Sequence, residues 1–157
     1  EDGTQIDLGG EVLEVLSIPA HHAGSIALLA REQRLLFTGD EFESGQVLIL
    51  KRRSDPDFLP TIARQRANAE RLLARRSEYD ALFPAHNGYL LDPDRYLNDF
   101  IALDGEILAG TAQAQPNTAG FNFPADAVAS GSVFGVFGKQ IRVCHGAASI
   151  VYRDEAT

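Results

Sequence analysis

Methionine and tryptophan are absent from this 157-residue chain, and cysteine occurs once, at Cys144. One thiol excludes an intrachain disulfide framework and a zinc site built on several cysteines. Basic residues are outnumbered, 14 Lys and Arg against 22 Asp and Glu, which gives a formal net charge of −8. Nucleic-acid binding rests on neutralising phosphates, so this balance argues against a polyanionic partner. Long apolar runs are missing too, and the opening EDGTQIDLGG has neither the basic nor the apolar region of a signal peptide. No membrane partner is expected, and the expected compartment is the cytoplasm.

What is present is ordinary for a globular domain: 45% hydrophobic and 23% charged residues. The length suits one domain or part of a larger one. EVLEVLSIP alternates and is β-branched enough to predict a strand over residues 12–18, stopped by Pro19. SIALLAREQRLLFTGD predicts two short strands, residues 26–29 and 34–38, joined by a polar turn at 31–33. GQVLILKR predicts a further strand that closes an antiparallel or mixed β segment.

The pattern changes after Ser54, Asp55 and Pro56, which are helix start signals. The Ala-, Leu-, Arg- and Glu-rich stretch that follows predicts a helix from about Thr61, because Pro60 suits a first turn and not an interior. Leu59, Ile62, Ala63, Ala69, Leu72 and Leu73 would share its apolar face, with most arginines opposite and solvated. YDALFPAH predicts a short buried strand ending at His86. DPDRYLNDFIALDGEILAG predicts a second helix closed by Gly110. From Thr111 the composition turns loop-like, and VFGVFGKQIRVCHGAASIVYR predicts a glycine-interrupted hairpin or small sheet.

Three residues carry the chemistry. His21, Asp40 and His86 each end an apolar strand where the chain turns into a loop. Strand ends form the rim on which α/β proteins build sites. Imidazole and carboxylate are the expected ligands for zinc, manganese or ferrous iron when thiolates are absent. Asp40 has two oxygens and can bridge two cations. His22, next to His21 in extended chain, should point the other way. Cys144 and His145 are neighbours on a predicted strand, and neighbours face opposite sides, so they cannot form a thiol-protease dyad. GSVFGVFGK lacks the Ser or Thr after Lys139 that a phosphate loop requires.

PAHHAGSIALL, RLLFTGD and LFPAH, in this order and spacing, resemble the C-terminal half of the metallo-β-lactamase fold hydrolases, over about residues 12–87. In that family a Pro-Gly-His-Thr-Pro-Gly-Ser-like segment, a Phe-x-Gly-Asp strand end and a Pro-x-His strand end follow one another. His21 matches the first histidine, Asp40 the bridging aspartate, His86 the last histidine, and Gly24 and Ser25 the small residues after the first ligand. Ala20, His22 and Ala23 depart from the family's Gly, Thr and Pro. Its principal signature, His-x-His-x-Asp-His, is missing from this chain.

The resemblance implies an α/β chain forming half of an αββα sandwich, a mixed sheet with flanking helices. Residues 1–110 would be the C-terminal half of the domain, and residues 111–157 a β-rich extension of it. It implies a metal-dependent hydrolase of an ester, lactone, thioester or similar small substrate, with two zinc ions, or manganese or iron, delivering hydroxide. Asp40 would be both bridging ligand and catalytic residue, with His21 and His86 as metal ligands. The site would be complete only with an N-terminal half, so the chain is expected to be part of a longer polypeptide and inactive alone. The other reading is a metal-free structural or dimerisation domain, whose partner is a second copy covering the apolar sheet face.

Overall fold

A computed structural model of the chain describes residues 1–42, 46–47, 54–85, 92–113, 115–116, 140–145 and 148–153. In chain order the elements are β1 (Gln5–Asp7), β2 (Val12–Ser17), β3 (Ile26–Ala30), β4 (Leu35–Gly39), β5 (Gln46–Val47), α1 (Phe58–Ala74), β6 (Ala81–Pro84), α2 (Pro93–Leu108), β7 (Gln115–Pro116), β8 (Gln140–His145) and β9 (Ala148–Arg153). The first sheet has the order β1-β2-β3-β4-β6; its first four strands run antiparallel and β6 lies parallel to β4. A parallel neighbour requires a crossover, and α1 lies on that crossover. The fold is the expected α/β one, a mixed sheet with two helices.

Register decides which side chains meet the helices. Leu16, Leu29, Leu36 and Leu82 share one face with Glu14 and, with Phe58, Ile62 and Leu72 of α1 and Leu97, Phe100 and Leu103 of α2, form the core. The opposite face carries Leu13, Val15, Ile26, Leu28, Phe37 and Phe83. Phe37 and Phe83 pair across β4 and β6 with ring centroids 5.2 Å apart. Ile26 is 45% exposed and Phe37 37%, unusual for large apolar side chains on adjacent strands of one sheet.

Several boundaries differ from the sequence expectation, each for a local reason. β4 begins at Leu35 and not at residue 34, because Arg34 takes a left-handed φ of 58°. Its guanidinium holds that turn, donating to both Asp80 oxygens at 2.6 and 2.7 Å and to the Ser77 carbonyl at 2.9 Å. Helix α1 starts three residues before Thr61, at Phe58, with Pro60 in its first turn, where a backbone N–H has no intrahelical acceptor. Its inward face is also not the one expected: Leu59 and Ala63 point outward, while Thr61, Gln65 and Asn68 are buried with Ile62, Ala69 and Leu72. Helix α2 follows expectation, with the Asp92 carboxylate accepting from the Arg95 amide and Gly110 just past the end at φ 69°.

Arg71 of α1 and Arg75 just past its end do more than face solvent. Arg75 bonds Glu14 on β2 at 2.7 Å and Glu78 at 2.8 Å, and Arg31 reaches the same two carboxylates. Arg71 binds Asp2 at 2.7 Å and also donates to the Ser17 carbonyl. These pairs tie the C-terminal end of α1 to β2 and to the chain before β1.

β5 does not close the first β segment as expected: it joins a second sheet, order β5-β9-β8-β7, by pairing parallel with β9 through Gln46↔Ser149 and Val47↔Ile150, and the place beside β4 is taken by β6. β8 and β9 are the antiparallel hairpin expected near the C-terminus. His86 and the glycine-rich residues 131–139 lie outside the described residues. No described helix is long and apolar enough to cross a membrane.

Candidate metal centre

Two strand ends meet at a cleft of about 380 Å³ lined by His21, His22, Gly24, Ser25, Ile26, Thr38, Gly39 and Asp40. His21 sits on the loop between β2 and β3. That loop is closed by its own bonds: the Ile18 amide donates to the Ser25 carbonyl at 3.0 Å, and the His22 amide to Ser25 Oγ at 3.1 Å. Asp40 follows β4. Gly39, at φ 56°, takes the left-handed turn that ends the strand there, a conformation glycine adopts without the cost a Cβ brings.

Across the cleft His21 Nε2 stands 3.9 Å from Asp40 Oδ2. That is too long for a hydrogen bond. Bonds of about 2.0–2.2 Å at tetrahedral angles put two donors about 3.4 Å apart, so the pair stands about half an ångström wider than one shared ion would hold it. Asp40 is the more open of the two, 43% exposed against 15% for His21. Among the described residues no cluster of three or more His, Cys, Asp and Glu side chains is placed to hold an ion. His86 lies outside those residues, but the preceding Ala85 donates its amide to the Gly39 carbonyl at 3.1 Å, beside Asp40.

His22 departs from its expectation. It lines the same cleft as His21, because residues 20–24 turn and are not extended, so strand alternation does not apply. Its Nδ1 accepts from the Gly24 amide at 3.1 Å.

Sequence reading missed Glu41. Its side chain is fully buried and ties the two loops together: Oε2 accepts from the Ala20 amide at 3.1 Å and the His21 amide at 2.7 Å, and Oε1 accepts from Asn68 Nδ2 at 2.8 Å. Gln65 Nε2 donates to the Glu41 carbonyl at 3.0 Å, and the Tyr96 hydroxyl to the Phe42 carbonyl at 3.2 Å. Burial pushes the Glu41 carboxyl up, with the His21, Asn68 and Ala20 bonds opposing. No local signal marked it, since its partners Gln65 and Asn68 are not among the residues that apolar spacing predicts for the inward face of this helix. Behind this cluster Asp104 of α2 is fully buried, and among the described residues neither of its oxygens has a hydrogen-bond partner. Desolvation first, then the Glu41 charge, push its carboxyl to about 8 against the pull of Arg66.

A mixed sheet with its helices on one face, and a histidine and an aspartate meeting at its strand ends, define half of a layered α/β domain with a metal-capable rim. The family model of the metallo-beta-lactamase superfamily matches residues 1–86, and the chain belongs to that superfamily. Acyl-coenzyme A thioesterase MBLAC2 from Bos taurus and from Homo sapiens is 32% identical over 90 residues. The match takes 55% of this chain and 29% of either relative, so the chain spans less than a third of their length. Among solved structures, a metallo-beta-lactamase family protein from Thermus thermophilus aligns with a TM-score of 0.53 at 20% identity, over 70% of this chain and 36% of that one. ETHE1 from Myxococcus xanthus aligns with a TM-score of 0.53 at 18% identity, over 71% and 49%. These likenesses are likenesses of fold.

Proposed function

We propose that this chain supplies the second set of ligands, His21, Asp40 and His86, to a two-metal hydrolase of small acyl substrates, thioesters foremost. The observation that carries the reading is the His21–Asp40 pair, 3.9 Å apart at the mouth of a cleft in a chain of this superfamily. The name of the thioesterase relatives supports an acyl thioester over other esters and lactones. Zinc suits the histidine and carboxylate donors, as manganese or iron would.

Bound transition-metal ions lower the pKa of water towards neutrality and polarise an acyl carbonyl. The chain's own residues then have separate tasks. His21 would contribute an imidazole nitrogen, held on a loop whose amides are tied down. Asp40 would contribute the carboxylate that can bridge the two ions and orient the attacking water. Gly24, Ser25 and Gly39 leave room beside the pair for a substrate. The remaining ligands, of the missing His-x-His-x-Asp-His type, come in this reading from a preceding part of the polypeptide. That part would also cover the sheet face bearing Ile26, Phe37 and Phe83, and a second copy of the chain is the other candidate to cover it.

Metal content and thioester hydrolysis of the full-length protein test the reading, compared with Asp40→Ala. The variant is expected to lose metal and to lower kcat/KM by orders of magnitude. Unchanged metal content and unchanged hydrolysis would remove Asp40 from the site.

A further inference from the structure

Glu41 is a fully buried carboxylate that contributes nothing to the cleft wall. Burying a carboxylate is costly, and folding alone is served as well by an apolar residue of similar size. What Glu41 does is directional. One oxygen takes the amides of both Ala20 and His21, at 3.1 and 2.7 Å. An amide cannot move independently of its own Cα, so the carboxylate fixes where His21 begins. Glu41 is also the residue after Asp40. It is gripped by α1 through Asn68 Nδ2 on its carboxylate and Gln65 Nε2 on its carbonyl, while Tyr96 of α2 holds the next residue, Phe42. The helices therefore fix one short segment that carries Asp40 directly and His21 through hydrogen bonds.

We infer that Glu41 is a positioning residue that sets the spacing of His21 and Asp40, and through it the affinity and ligand field of the metal they hold. The inference rests on the metal-site reading above. Groups that orient metal ligands typically contribute about 10- to 100-fold in affinity.

The test uses the full-length protein, with Zn(II) affinity measured by competition against a chromophoric chelator and the Co(II) form followed by its absorption spectrum. Glu41→Ala is expected to weaken Zn(II) binding by about 10- to 100-fold and to shift the Co(II) bands. Glu41→Gln should restore both, since its amide oxygen can accept from the same two N–H groups. Leu72→Ala serves as the control, losing stability while keeping affinity and spectrum. If Glu41→Ala does not fold, Asn68→Ala, which removes one bond to the carboxylate, should move both readouts in the same direction by a smaller amount. A folded Glu41→Ala within about two-fold of wild type and with an unshifted spectrum overturns the inference, as does an unshifted Asn68→Ala when Glu41→Ala is unfolded. Asp40→Ala separates the two failures: if it binds metal like wild type, the site reading falls, and if it loses metal while Glu41→Ala keeps it, only the role of Glu41 falls.

Discussion

Replacing Asp104 by Asn should stabilise the protein near neutral pH and leave it no more stable in mild acid. Asp104 is completely buried on α2, and among the described residues its oxygens have no partner. Desolvation and the Glu41 charge move its carboxyl from an ordinary 3.8 to about 8. With the folded value raised above the unfolded one, the native state keeps the proton between those limits while the unfolded chain releases it. Stability therefore falls as pH rises, by about 1.4 kcal/mol per unit, and levels off above the folded value. From 3.8 to 7 this amounts to ~4 kcal/mol. Asn has the same shape and no ionisable proton, and its own unpartnered amide costs the same at every pH. The difference between variant and wild type isolates the titration. Urea denaturation from pH 4 to pH 8, in the presence of a chelator so that metal binding does not contribute, reads it directly. The two stability curves should diverge steadily with pH in favour of Asp104→Asn. Parallel curves would mean that Asp104 is ionised in the folded protein and that the burial argument is wrong.

Two other substitutions test how the helices are held. Leu72 of α1 is completely buried in the core, so Leu72→Ala should lower unfolding free energy by about 3 kcal/mol, read as a reduced urea midpoint without a change in slope. Arg75→Ala removes the bonds to Glu14 and Glu78; the groups are 20–26% exposed, so the loss should be about 1 kcal/mol at low salt and less at high salt. Arg75 holds both carboxyls below their ordinary 4.5, so the contribution is complete above that value and disappears as pH falls through the lowered ones. Its signature is a difference between wild type and Arg75→Ala in thermal melts that closes in acid; a constant difference would refute it.

Period and punctuation in the sequence were enough for β2, β3, β4, α1, β6 and α2 in order, for the start of α2 at an acid–proline pair and for the placing of His21 and Asp40 just past strands, but not for β1, β7 or the sheet that β5 joins. Those signals are local: alternation, a fixed φ at proline and the polar residue that stops an apolar run act within a few residues. Other features were not legible because they depend on specific hydrogen bonds, near or far along the chain, that no periodic pattern encodes. Arg34 leaves β4 because Asp80 and the Ser77 carbonyl hold its side chain. His22 joins the cleft because its loop closes through Ser25. Gln65 and Asn68 turn inward, displacing Leu59 and Ala63 from the expected face, because Glu41 waits there with acceptors to satisfy.

By itself, then, the sequence determined which residues could bind a metal and on which kind of element they sit, since ligand chemistry and strand periodicity belong to single residues and their neighbours. Only the tertiary structure decided that His21 and Asp40 lie 3.9 Å apart and that a buried glutamate joins their loops. A distance between residues nineteen positions apart in the chain is set by how β2, β3 and β4 register against one another and by the helices packed behind them. No local pattern encodes it.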